Sequence, residues 1–148
     1  MQFFRVAVWI LFTQAGVFGQ TAIRIYVEPF ASNTGDSLRE ALIKLLKGQK
    51  EVSVAAAPGA ADRVLTGTNR TYIKGYLSRN PRVRYRNGDS RPVYAGYVSV
   101  ELKDQQDETV WSYLVTPARF GSEDISKNLG DQIVSKLLQF LANPTKAP

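Results

Sequence analysis

Five arginines crowd one short stretch of this chain: Arg79, Arg82, Arg84, Arg86 and Arg91 lie between Ser78 and Pro92, with Asp89 as their only acidic neighbour there. A guanidinium matches carboxylate and phosphate oxygens through two parallel hydrogen bonds, so such a cluster suits an anionic partner. Arg82, Arg84 and Arg86 alternate with Val83 and Tyr85. On extended backbone that spacing sets three cations on one side and two apolar groups on the other. Asn87-Gly88 fits the tip of a hairpin. The expected partner-binding residues are therefore Arg79, Arg82, Arg84, Tyr85, Arg86 and Arg91. The same charges also serve a solvated hairpin that blocks edge-to-edge association, and the sequence leaves that second reading open.

Other reactive groups have structural explanations close at hand. Asp104, Asp107 and Glu108 cluster like calcium ligands but lack the spaced oxygens and glycine of a dedicated loop, so they read as a turn. Asp36 with Glu40, and Glu123 with Asp124, pair carboxylates where helix starts already call for them. Tyr72, Tyr76, Tyr85, Tyr94 and Tyr97 read as cross-strand packing; shared exposure with the arginines would instead favour a glycan surface. Asn69-Arg70-Thr71 forms a glycosylation sequon, of consequence only in a eukaryotic secretory route. The chain has no histidine and no cysteine. It thus lacks the usual neutral-pH proton shuttle, a thiolate metal site and any disulfide. We expect no enzyme, no metal and no cofactor.

The first residues carry a different message. Arg5 precedes the apolar run Val6-Ala7-Val8-Trp9-Ile10-Leu11-Phe12, which is too short to span a bilayer. It reads as a secretory signal over residues 1–19, cleaved after Gly19 or at Ala15, with a single domain over 20–148 and no transmembrane span in the mature form. The balance of 19 basic to 13 acidic residues, net +6, favours anionic envelope surfaces over nucleic acid for an exported chain.

The elements that must position these residues follow from periodicity. A strand around Ile23–Val27 stops at Pro29; Ser37 and Glu40 make a capping-box pair; Leu38, Ala41, Leu42, Leu45 and Leu46 mark a helix to Lys47. Val52-Ser53-Val54 is a short strand, and Arg63 to Leu77 reads as one long strand with Gly67 and Gly75 as bulge or close-packing points. A strand over Val93–Lys103 and its return over Thr109–Val115 make a hairpin. Ile125, Leu129, Ile133, Val134, Leu137, Leu138 and Leu141 mark a longer final helix that stops before Asn143-Pro144. The order β-α-β-β-β-β-α predicts an α+β fold, a mostly antiparallel five-stranded sheet with two helices on one face.

Glu28-Pro29-Phe30, Asn33-Thr34-Gly35, the leucine-rich helix and Ala61-Asp62-Arg63-Val64-Leu65-Thr66-Gly67 resemble the periplasmic domains of the curli-secretion lipoprotein, the penicillin-binding-protein activator lipoprotein and the TolB amino-terminal domain. The hairpin from Val98 to Ser112 and the closing helix are similar to theirs. The resemblance implies a non-catalytic envelope domain that works by docking to other proteins or by assembling with copies of itself; taken with the basic arm, the expected partner of this periplasmic or secreted domain is an envelope protein, an anionic polymer or a lipid headgroup. Its alternative is a self-associating structural subunit of an envelope or secretion assembly. The lipidation cysteine of those lipoproteins has no counterpart in this sequence.

Overall fold

The computed structural model describes residues 22–32, 36–78, 90–118 and 124–144. The expected signal, the Asn33-Thr34-Gly35 turn, Ser122 and Glu123 lie outside the described residues.

Strand β1 (Ile23–Val27) leads through the two-residue β2 (Ala31–Ser32) into helix α1 (Ser37–Lys47). The chain returns as β3 (Val52–Val54), takes a single 3-10 turn at Pro58–Ala60, and continues as β4 (Arg63–Asn69). A helix between two strands carries the chain back to the end where it began, so the second strand runs parallel to the first. Accordingly β1 pairs in parallel with β3 on one side and with β4 on the other, and β2 pairs in parallel with the far end of β4. The first half of the sheet is therefore not antiparallel, which corrects the sequence expectation. After β4 come β5 (Tyr72–Ser78), β6 (Ser90–Ala95), β7 (Val98–Lys103), β8 (Thr109–Val115) and helix α2 (Ile125–Ala142). The result is a mixed six-stranded sheet, ordered β3-β1-β4-β7-β8 with β2 beside β4, and a separate two-stranded ribbon of β5 and β6.

The ribbon arises because both long strands expected from the sequence break at the same level. Asn69 ends β4 opposite Val98, and Tyr72 opens β5 opposite Ala95, so one antiparallel hairpin continues through a corner. At that corner the buried Asn69 side chain accepts hydrogen bonds from the Thr71 amide at 3.0 Å and the Thr71 hydroxyl at 2.7 Å. The Arg70 amide donates to the Tyr97 carbonyl at 2.9 Å. Across from it Gly96 adopts φ +100, and a side chain there would run into the Arg70 carbonyl. Asparagine bonding to backbone two residues ahead is a local alternative to the sheet ladder, and glycine supplies the left-handed turn on the opposing strand. The sequon asparagine is thus a buried corner residue.

Both helices cover one face of the sheet. Leu38, Leu42 and Leu46 of α1 and Leu129, Ile133 and Leu137 of α2 are fully buried with Ile25, Val27, Leu65, Val98, Val100 and Leu102. The two helices run in the same direction: Ser37 meets Ser126 through a 3.0 Å hydroxyl contact, and Gly130 faces Ala41 and Leu45 further along. Ser37 therefore ties the helix starts together and does not cap α1, whose N-cap is Asp36 without a side-chain cap bond. Asp124 does cap α2, accepting from the Lys127 amide at 2.9 Å. Trp111 stacks between Tyr113 and Phe140, at 6.0 and 6.2 Å, and fastens β8 to α2. Gly67 leaves room for the Phe30 ring over the sheet, which is how the Pro29-Phe30 segment is held.

The corner and the free surface make opposite predictions for two glycines. Gly96→Ala must add a side chain at positive φ against a backbone carbonyl and is expected to cost about 3 kcal/mol. Gly59→Ala meets no atom within 4 Å and is expected to change stability by less than about 0.5 kcal/mol. Urea denaturation of both variants checks this; coincident midpoints would contradict the corner geometry.

Candidate functional site

The β5–β6 ribbon stands apart from the sheet, making few contacts with other described elements. Its register decides which side chains share a face. Tyr72 pairs with Ala95, Gly75 with Val93 and Leu77 with Arg91, while Ile73 pairs with Tyr94 and Tyr76 with Pro92. The register shift between Ile73 and Gly75 makes Lys74 a bulge residue and reverses the alternation, so Ile73 and Tyr76 fall on one face, Tyr72 and Leu77 on the other. The bulge sits beside one of the glycines read from sequence as a bulge point. Exposure of Tyr72 is 58%, Ile73 46%, Tyr76 65% and Leu77 48%. Both faces thus present apolar surface to water. Lys74, Tyr76, Leu77, Val93 and Tyr94 line a shallow open groove along the strands.

Of the six expected partner-binding residues, Arg91 is described: it is exposed on β6 opposite Leu77. Arg79, Arg82, Arg84, Tyr85 and Arg86, with the Asn87-Gly88 tip, lie outside the described residues, in the segment that links β5 to β6. The tyrosines depart from the expected packing. Tyr72 and Tyr76 are exposed because the corner takes the ribbon away from the layer against which they would have packed; Tyr97, at the corner itself, is exposed as well, and Tyr94 is half-buried. Sequence reasoning missed the exposed Ile73 and Leu77 altogether. The signal for them was the pairing of an Asn-x-Thr turn with a glycine on the partner strand, which ends both sheet strands together.

A second charged site lies at the end of the sheet nearest the Ala61-Asp62-Arg63 block. Asp62 clamps β1: its carboxylate accepts from the Arg24 amide at 2.9 Å and from the Arg24 guanidinium at 2.8 and 3.3 Å, and the Asp62 amide donates to the Arg24 carbonyl at 2.8 Å. The Arg24 side-chain hydrogen bonds hold the Asp62 carboxyl down to about 2. Nearby, Lys103 pairs with Asp107 at 2.9 Å, which raises the lysine above its ordinary value. An open cleft of about 390 Å³ runs between these groups, lined by Glu28, Asp62, Arg63, Lys103, Asp104 and Asp107. Its strongest charges are committed to pairs within the fold. Asp104 accepts from the Gln106 and Glu108 amides, at 2.9 and 3.0 Å, and so makes the β7–β8 turn, as expected from the sequence. Among the described residues no group of three histidine, cysteine, aspartate or glutamate side chains could hold a metal ion.

No family model matches the sequence, and a search of curated proteins finds no match. Solved structures do share the fold. A point variant of the PelC dodecamer from Paraburkholderia phytofirmans aligns with a TM-score of 0.51 and 22% identity over 79% of this chain and 84% of that one. Lipoprotein B from Nitrosomonas europaea aligns with a TM-score of 0.52 and 15% identity over 83% and 86% of the two chains. TolB from Acinetobacter baumannii aligns with a TM-score of 0.51 and 13% identity over 82% of this chain and 28% of TolB. At these identities the likeness is one of fold, and it includes TolB, to which the sequence motifs point.

The Arg24–Asp62 clamp makes stability depend on acid. The ordinary carboxyl value is 3.8 and the folded value about 2, so the clamp contributes fully above the unfolded value and is lost as pH falls through the folded one. Asp62→Asn is expected to melt below the parent at pH 7, with the gap closing between about pH 4 and pH 2. Because the pair is exposed, added salt narrows the gap at neutral pH. A gap that stays constant to pH 2 would contradict the clamp.

Proposed function

We propose that this chain is an exported, non-catalytic domain of the cell envelope, periplasmic or secreted, that docks to an envelope protein or anionic polymer through the arm formed by β5, β6 and their arginine-rich link. The observation that carries this reading is the ribbon itself: two strands leave the sheet at a built corner, expose apolar groups on both faces, and join through a segment holding Arg79, Arg82, Arg84 and Arg86. An isolated two-stranded ribbon is marginal in water, so a partner that covers the arm would stabilise it. The fold shared with PelC, lipoprotein B and TolB supports an envelope location, as does the apolar run behind Arg5. No described helix is long and apolar enough to cross a membrane.

A second reading, self-association, is favoured by β8. This edge strand, Thr-Val-Trp-Ser-Tyr-Leu-Val, carries no charge and no proline, and Leu114 is 62% exposed. Unprotected edges of this kind pair with other strands. The dodecameric state of PelC is in line with it.

For the leading reading, affinity for an anionic polymer such as dextran sulfate is expected to fall steeply with salt, and the combined change of Arg82, Arg84 and Arg86 to alanine to reduce that slope by about one unit per arginine. Equal slopes would leave the link without a part in binding. For the second, light scattering of the parent separates a concentration-dependent assembly, which Leu114→Lys dissolves, from a monomer, which removes this reading.

A further inference from the structure

Both faces of the β5–β6 ribbon are exposed and apolar, and this limits what can cover them. Tyr72 and Leu77 lie on one face and Ile73 and Tyr76 on the other, each between 46% and 65% exposed. A protein partner with a flat or grooved surface covers one face of a two-stranded ribbon and leaves the other wet. A lipid interface surrounds an inserted strand pair and removes both faces from water at once. The side-chain types fit such a medium: tyrosine seats its ring among acyl chains with its hydroxyl among headgroups, and isoleucine and leucine go deeper. Lys74 and Arg91 lie in exposed positions on the same two strands. That is the charge required by anionic lipid.

Resting on the docking reading above, we propose that the partner of this arm is an anionic phospholipid surface, into which Tyr72, Ile73, Tyr76 and Leu77 insert while Lys74 and Arg91 pair with headgroup phosphates. The corner sets the geometry, since Gly96 and the Asn69–Thr71 turn direct the ribbon away from the sheet and leave the helix-covered core uninvolved.

The test uses the protein in the form recovered after export, with unilamellar vesicles of phosphatidylglycerol or of phosphatidylcholine. Flotation is expected to show binding to phosphatidylglycerol vesicles, and the double variant Ile73→Ser with Leu77→Ser to bind at least about tenfold more weakly. Lys74→Ala is expected to weaken binding to phosphatidylglycerol about fivefold without changing the weak binding to phosphatidylcholine. A Tyr76→Trp variant gives a readout independent of affinity, because its emission shifts to the blue and is quenched by brominated lipid on insertion. Vesicle binding with Tyr76→Trp emission unchanged would overturn insertion, leaving charge attraction alone. Salt-sensitive binding to dextran sulfate without binding to vesicles would overturn the lipid assignment while the docking reading stands. Scattering that shows an assembly dispersed by the Ile73 and Leu77 double variant would overturn it as well, in favour of a second copy of the chain.

Discussion

The whole architecture turns on the corner where one hairpin stops being part of a sheet. Up to Asn69 and from Val98 onward, β4 and β7 are ordinary members of a six-stranded layer whose inner face packs on two helices. Between them the Asn69 carboxamide takes the Thr71 amide and hydroxyl, and Gly96 at positive φ lets the Arg70 carbonyl approach closely. Neither strand can keep its ladder direction through that point. The same two strands continue as a ribbon, with no helix or further strand among the described residues to cover them. Every exposed aromatic and aliphatic group on β5 follows from that departure.

Energetically the molecule has two unequal parts. The core joins β1, β4, β7 and β8 to α1 and α2 through fully buried leucine, isoleucine and valine side chains, fixed at the edge by the Trp111, Tyr113 and Phe140 stack. A fully buried side chain of this kind contributes about 1.5–3 kcal/mol relative to exposure, so this layer sets the stability. The arm contributes little of that kind. Its apolar groups retain much of their contact with water, and free energy from covering them is available to binding instead of folding.

Much of this was legible in the sequence. The leucine and isoleucine spacings of both helices, the Asp104 turn and the Val98-Val100-Leu102 alternation match the observed elements, because each rests on short-range physics that periodicity reports. The resemblance to TolB anticipated the shared fold. The parallel pairing of β1 with β3 and β4 was not anticipated, although a strand, a helix and a strand in succession imply it for β3. The corner escaped for a subtler reason. Arg63 to Leu77 has the composition of one strand throughout, and a break made by an asparagine carboxamide and a glycine on a different strand is long-range information. The tyrosines read as packed from sequence for the same reason, since a strand pattern says which side chains share a face and nothing of whether a layer lies against it. The arginines of the link stand out by type and number, while Ile73 and Leu77 acquire meaning only once the ribbon is seen to stand alone.

The central claim is that recognition belongs to the arm and not to the helix-covered layer or the cleft at Asp62. Amide hydrogen exchange of the protein with and without phosphatidylglycerol vesicles addresses it most directly. The account predicts slowed exchange confined to the arm, residues 72–95, with α1, α2 and β8 unchanged. Slowing at β8 or the helices while the arm exchanges as before would contradict it.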